Sequence, residues 1–183
     1  MLSKPVLDRL ISTVDSCPYG TSSGRQHKHR PQRLALYTPE EKARRDATPW
    51  TLVQGILAPV QFLVFVISVG LVIRYLGSGE GLAWAEGSIV LKTLLLYTIM
   101  ITGCIWEYEV YGKYLFAPAF FWEDVFSMLV LALHTAYLGA LFFAWGDTHF
   151  QMWLALAAYA AYVINATQFI LKLRAARLQA SGA

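Results

Sequence analysis

Four long apolar stretches separated by short polar breaks set the pattern of this chain: Leu52–Tyr75, Ile89–Trp106, Val125–Trp145 and Met152–Leu171. The hydrocarbon core of a bilayer, about 30 Å thick, takes roughly 20 apolar residues in helical form. In lipid a continuous apolar run satisfies its own backbone as a helix. None of the four shows the strict two-residue alternation of a membrane β-strand. The pattern predicts an all-α integral membrane protein with four transmembrane helices in a bundle, spanning about 52–75, 89–106, 125–145 and 152–171.

The few polar residues inside these stretches fall on stripes. At 3.6 residues per turn, Gln54, Gln61 and Ser68 line one face of the first span, and Thr98, Thr102 and Glu109 one face of the second. Glu123, Ser127, His134 and Tyr137 share a face of the third, and Asn165, Gln168 and Lys172 a face of the fourth. The simplest bundle turns all four stripes inward. Such residues also serve as interhelical hydrogen-bond glue, which suffices for Gln54, Gln61, Ser68, Thr98 and Ser127. Lys92, near the start of its span, reads as snorkelling to the interface.

Composition agrees with a membrane protein. Hydrophobic residues make up 56% and charged residues 15% of the 183, against about 25% charged in soluble domains. Disorder, a coiled coil, a disulfide scaffold and nucleic-acid binding do not fit, and Cys17 and Cys104 form no metal or disulfide spacing. The first 49 residues carry nine basic residues and no apolar core of signal-peptide kind. Residues 1–36 read as a flexible basic tail, with a short amphipathic stretch near Val6–Val14; its His27 and His29 read as solvated rather than metal-binding. Residues 37–179 form the membrane domain, and 180–183 are a C-terminal end. Lys42, Arg44 and Arg45 precede the first span, Lys113 lies between spans two and three, and Lys172, Arg174 and Arg177 follow the fourth. The connections Leu76–Ser88 and Gly146–Gln151 have no basic residue. The positive-inside rule then places both termini in the cytoplasm.

The densest chemistry lies on that side. The run WEYEVYGKYLFAPAFFWED, Trp106 to Asp124, holds the carboxylates Glu107, Glu109, Glu123 and Asp124 and eight aromatic residues. An aromatic belt at the headgroups accounts for some of them, and acids favour a helix start in any case. A flat aromatic lid over a large planar ligand accounts for the arrangement better. A carboxylic acid in an apolar pocket stays protonated near neutral pH and gives a proton to a weakly basic carbon; ionised, it takes one from water. That is the chemistry of adding water across a carbon–carbon double bond. The chain has no GxGxxG, P-loop, HExxH or paired-cysteine motif. His134, near mid-membrane, reads equally as a packing residue and as a ligand to a metal or pigment.

Three stretches carry a resemblance: YTPEEKARRDATPWTLVQGILAPVQFLVF from Tyr37, IWEYEVYGKYLFAPAFFWEDVFSMLVLALHTAYL from Ile105, and AAYVINATQFILKLRAARLQ from Ala160. They resemble the 3-vinyl bacteriochlorophyllide hydratase family of phototrophic bacteria, over about Tyr37 to Gln179. The resemblance implies an integral membrane hydro-lyase of the bacterial inner membrane. It adds water to the C3 vinyl group of chlorophyllide a or 3-vinyl bacteriochlorophyllide a, without a cofactor, since the Mg belongs to the tetrapyrrole. On this reading Glu123 and Glu109 are the acid/base pair, with Glu107 and Asp124 as second choices. Trp106, Tyr114, Phe120, Phe121 and Trp122 stack on the macrocycle, with Asn165 and Gln168 on the fourth stripe. Lys113 pairs with the propionate, and His134 ligates the Mg or holds the water. Further expected partners are the lipid bilayer, a second copy and other enzymes of bacteriochlorophyll synthesis. Two other classes stay open: a non-catalytic chlorophyll-binding subunit using His134, and an assembly protein whose aromatic loop docks partners.

Overall fold

The computed structural model describes residues 36–181; the tail with Cys17, His27, His29 and the Val6–Val14 stretch lies outside the described residues. Five helices follow one another: α1 Pro39–Ala47, α2 Pro49–Ser78, α3 Leu82–Tyr111, α4 Phe121–Phe142 and α5 Thr148–Ser181. Thr38 starts α1 with a capping box: its hydroxyl accepts from the Glu41 N–H at 3.2 Å, and its own N–H donates to Glu41 at 2.8 Å. Thr48 and Pro49 start α2 in the same manner, a hydroxyl cap followed by a residue with no N–H to satisfy.

The helices α2 to α5 are long and apolar enough to cross a membrane. At 1.5 Å per residue the 30 residues of α2 or α3 extend about 45 Å, so their ends reach past the hydrocarbon. Large apolar side chains such as Leu63, Ile67, Leu94, Ile101, Leu129 and Ile170 face outward, as lipid requires. The helices pack as two tight hairpins, α2 with α3 and α4 with α5, which meet each other more sparsely through α2 with α5 and α3 with α4. Phe65, Ile89, Leu96, Val130, Tyr137, Met152 and Tyr159 form the interior. Ala85, Ala140, Ala155 and Ala158, almost fully buried, let backbones approach closely. The short α1 docks on the end of α3, where Arg44 Nε donates to the Val110 carbonyl at 2.8 Å and Tyr37 stacks on Tyr111.

Three of the four expected stripes face inward. Gln61 and Ser68, then Glu123, Ser127, His134 and Tyr137, then Asn165 are all buried. The stripe on α3 is different. Thr98 and Glu109 are exposed, and the buried face runs through Ala85, Ile89, Lys92, Thr93, Leu96, Glu107 and Val110. A threonine hydroxyl permits this, because Thr98 donates to the Leu94 carbonyl one turn back and so tolerates a lipid-facing position, whereas half-buried Thr102 accepts from Gln54 Nε2 of α2 at 2.7 Å. Lys92 does not snorkel; it has no exposed surface at all. The third helix begins at Phe121 rather than 125 and ends at Phe142 rather than 145. The connection from α3 to α4 is therefore a compact loop, with Glu107, Glu109, Glu123 and Asp124 all on helices.

Candidate active site

The site is built where the loop between α3 and α4 folds back on both helices. Gly112 ends α3 in a left-handed conformation, φ 74°, with its N–H on the Tyr108 carbonyl. Phe116 also takes a left-handed conformation, φ 58°, which costs a non-glycine residue about 1–3 kcal/mol. The strain has a visible return. It aims two successive N–H groups at two acids: Phe116 donates to Asp124 Oδ2 at 2.8 Å and Ala117 donates to Glu107 Oε1 at 2.7 Å. Because these N–H groups are adjacent along the loop, they hold the Glu107 and Asp124 carboxyls, one from each hairpin, side by side. Both are buried, at 4% and 7% exposure. Two carboxyls buried side by side disfavour carrying two charges at once, because burial penalises each charge and like charges repel. Such a pair has one group ready to give a proton and one ready to take it.

Phe120 walls this pair. It is buried between Trp106, Tyr111 and Phe169, with centroids 5.8, 6.0 and 5.9 Å away. Glu123, next in sequence to Asp124, points to α5 instead, where Lys172 Nζ donates to its Oε2 at 2.6 Å. That ammonium also lies 4.8 Å from the Phe120 ring centroid.

The expected pairing of Glu123 with Glu109 is not made. Glu109 is exposed on the opposite face of α3. It accepts a hydrogen bond from the Thr48 hydroxyl, in a shallow cleft lined by Arg44, Ala47, Thr48 and Pro49. Trp106 is half-buried and donates from Nε1 to the Thr51 hydroxyl at 2.9 Å. Tyr114, Phe121, Trp122 and Lys113 are exposed, with Tyr114 stacked on Tyr108 at 4.3 Å. The aromatics thus form no single lid: Phe120 turns into the bundle and the others make an outer apron.

Deeper in the bundle, Asn165 donates to the Ser127 hydroxyl at 2.8 Å. Asn165 Oδ1 and Gln168 Oε1, one turn apart on α5, have no partner. His134 Nδ1 lies 2.8 Å from the Val130 carbonyl, its Nε2 has no partner, and the residue has no exposed surface. A carbonyl only accepts, so Nδ1 carries the proton and neutral His134 presents the Nε2 lone pair. Ser68 binds the Tyr159 hydroxyl at 2.5 Å and the Ser88 hydroxyl at 2.6 Å, tying α2 to α5 and α3. Lys92, absent from the residues that the sequence singles out for a site, lies with Nζ 3.7 Å above the Tyr162 ring centroid. Its signal was present in the spacing: 92, 96, 103, 107 and 110 on α3 follow the three- and four-residue steps of one helix face.

Comparison with known proteins identifies the family. The family model for 2-vinyl bacteriochlorophyllide hydratase matches residues 37–175. A 2-vinyl bacteriochlorophyllide hydratase of Rhodobacter capsulatus is 69% identical over 151 residues, covering 82% of this chain and 88% of the relative. Its counterpart in Cereibacter sphaeroides is 69% identical over 149 residues, covering 81% and 92%. No solved structure matches significantly. On both the family model and these relatives, the chain belongs to the 2-vinyl bacteriochlorophyllide hydratase family.

Proposed function

We propose that the chain adds water across the vinyl group of a Mg-tetrapyrrole in bacteriochlorophyll synthesis, with Glu107 and Asp124 as acid and base. The position called 2-vinyl in the family name is the C3 vinyl of chlorophyllide a in the other ring numbering. The observation that carries the residue assignment is the pair of successive loop N–H groups that hold the two buried carboxyls side by side. The protonated member gives its proton to the terminal vinyl carbon, and the π pair forms the new C–H bond. The cation left on the adjacent carbon is delocalised into the macrocycle. Water adds there through its oxygen, and the ionised member takes the proton that the water releases. The pair ends with one proton, as it began. Water alone balances the reaction, since the proton given is returned, so no resident cofactor is required, and the Mg enters and leaves with the substrate.

The seam between the two hairpins suits a flat apolar macrocycle, because the helices meet sparsely there. The Nε2 lone pair of His134 suits an axial position on the substrate Mg. It stands ten residues along α4 from Asp124, about 15 Å. The unpartnered buried oxygens of Asn165 and Gln168 suit a held water. Tyr114, Phe121 and Trp122 make an apolar threshold at the membrane surface, and Lys113 beside them suits the acidic side chain of the macrocycle. The basic residues cluster at the end of the bundle that holds the site, whereas the connections 79–81 and 143–147 carry none, so this end faces the cytoplasm, in the bacterial inner membrane. A homodimer and hand-over from other enzymes of the pathway fit a substrate with so little solubility in water.

The test is turnover. The chain is expressed in a non-phototrophic host, its membranes receive chlorophyllide a, and the pigment is followed by chromatography and mass spectrometry. A product heavier by one water and absorbing further to the blue is expected. Retention of unchanged pigment would point instead to a non-catalytic binding subunit.

A further inference from the structure

Lys92 is a buried amine with no acid partner. It lies in the interior of α3, has no exposed surface, and its Nζ has no hydrogen-bond partner. Among the described residues the ion pairs are Arg45–Asp46, Arg74–Glu80 and Lys172–Glu123; none involves Lys92. The Tyr162 ring beneath it, at 3.7 Å, supplies a weak cation–π contact and no acceptor. Ionisable groups inside a membrane bundle are costly and mark ligand sites. Further buried polar atoms of the bundle lack partners: Gln61 Nε2 on α2, Tyr137 OH on α4 and His134 Nε2 on α4. The helices α2, α3 and α4 thus contribute donors in the ammonium, the amide and the phenol, and one lone pair in the imidazole. Such a set takes an acceptor-rich group, and the imidazole has its own use in the reading above.

We infer that Lys92, on α3 facing Tyr162 of α5, is a substrate-binding residue that donates a hydrogen bond to a carbonyl oxygen on the macrocycle edge opposite the reacting vinyl group. This rests on the hydratase reading for the identity of the ligand. In chlorophyllide a that edge carries a ring ketone next to an ester, diametrically across from the C3 vinyl. The spacing agrees. Lys92 and Glu107 are 15 residues apart on α3, about 22 Å along the axis. The vinyl-to-ketone axis of the chlorin is shorter, and the lengths of the two side chains with a contact at each end make up the rest. The acid pair at one end and the lysine at the other would fix the macrocycle along the seam, and would reject pigments lacking the ketone.

The experiment uses the full chain in detergent with chlorophyllide a, and with an analogue whose ring ketone is reduced to a methylene. The ketone stretch of bound chlorophyllide a, read by resonance Raman, is expected at lower wavenumber than in a non-hydrogen-bonding solvent. It is expected to return to the free value in Lys92→Met. The same substitution is expected to raise KM about tenfold, the loss of one hydrogen bond to the substrate. The analogue is expected to bind wild-type protein about tenfold more weakly, a readout that needs no altered chain. An unshifted ketone, equal binding of the analogue, or no retention of chlorophyllide a by the wild type overturns the inference. Wild-type protein that shows the shift but releases no hydrated product overturns the hydratase reading and leaves the lysine contact standing.

Discussion

Substituting one member of the carboxyl pair separates its chemistry from its packing. In Glu107→Gln the side chain keeps an oxygen for the Ala117 N–H, now 2.7 Å from Glu107 Oε1, and keeps its length and volume. Stability should therefore change little. Turnover should fall by about 10²–10⁴, the usual contribution of a positioned general acid or base, because an amide neither gives nor takes the proton. Asp124→Asn should behave alike, since it retains an acceptor for the Phe116 N–H. The double substitution should cost little more than either single one, because the two act as a unit. Glu107→Ala should differ, leaving the buried Ala117 N–H unpaired, a loss of about 1–3 kcal/mol. Glu109→Gln is the control; it alters an exposed carboxylate bonded to Thr48 and should leave turnover near wild type. The assay is product formed per mole of chain from chlorophyllide a in membranes, with unfolding in detergent measured beside it. Glu107→Gln turning over within about threefold of wild type, where a general acid demands at least a hundredfold loss, would refute the assignment.

Three other outcomes follow from particular contacts. His134→Leu should weaken binding of Mg-containing chlorophyllide while sparing the Mg-free macrocycle, measured by titrating purified protein with each; equal losses for both would remove the imidazole from the Mg. Ser68→Ala should lower stability by about 1 kcal/mol, the scale of an interhelical hydrogen bond in membrane bundles, because it leaves the buried Tyr159 hydroxyl without its 2.5 Å partner; SDS-titration unfolding measures it. Gly146→Ala should destabilise by about 1–2 kcal/mol, since Gly146 holds φ 70° and a Cβ there would come 2.5 Å from the Phe150 ring; an unchanged unfolding midpoint would contradict the strain.

Much of the architecture was legible because lipid leaves the chain few options. Apolar runs of bilayer length become helices, and on α2, α4 and α5 a single polar stripe could only turn inward. The α3 helix carries polar residues on two faces, and there the choice was ambiguous. Thr98 satisfies its hydroxyl on its own helix, so it gives no sign of which way it faces. Lys92 was misread because a lysine 11 residues into a 30-residue helix is long enough to snorkel; its burial depends on Tyr162, 70 positions away. The carboxylate-rich stretch from Trp106 to Asp124 was visible as a candidate site, but not the division of its four acids.

By itself, then, the sequence determined the four-helix membrane class, the family and the segment holding the acids, since these follow from local hydropathy and from runs of residues. The tertiary structure decided that Glu107 meets Asp124, that Glu123 goes to Lys172 and that Glu109 stays outside. Those partnerships depend on the rotation of α3 about its axis and on the left-handed turn at Phe116, which only the packing of two hairpins against each other fixes.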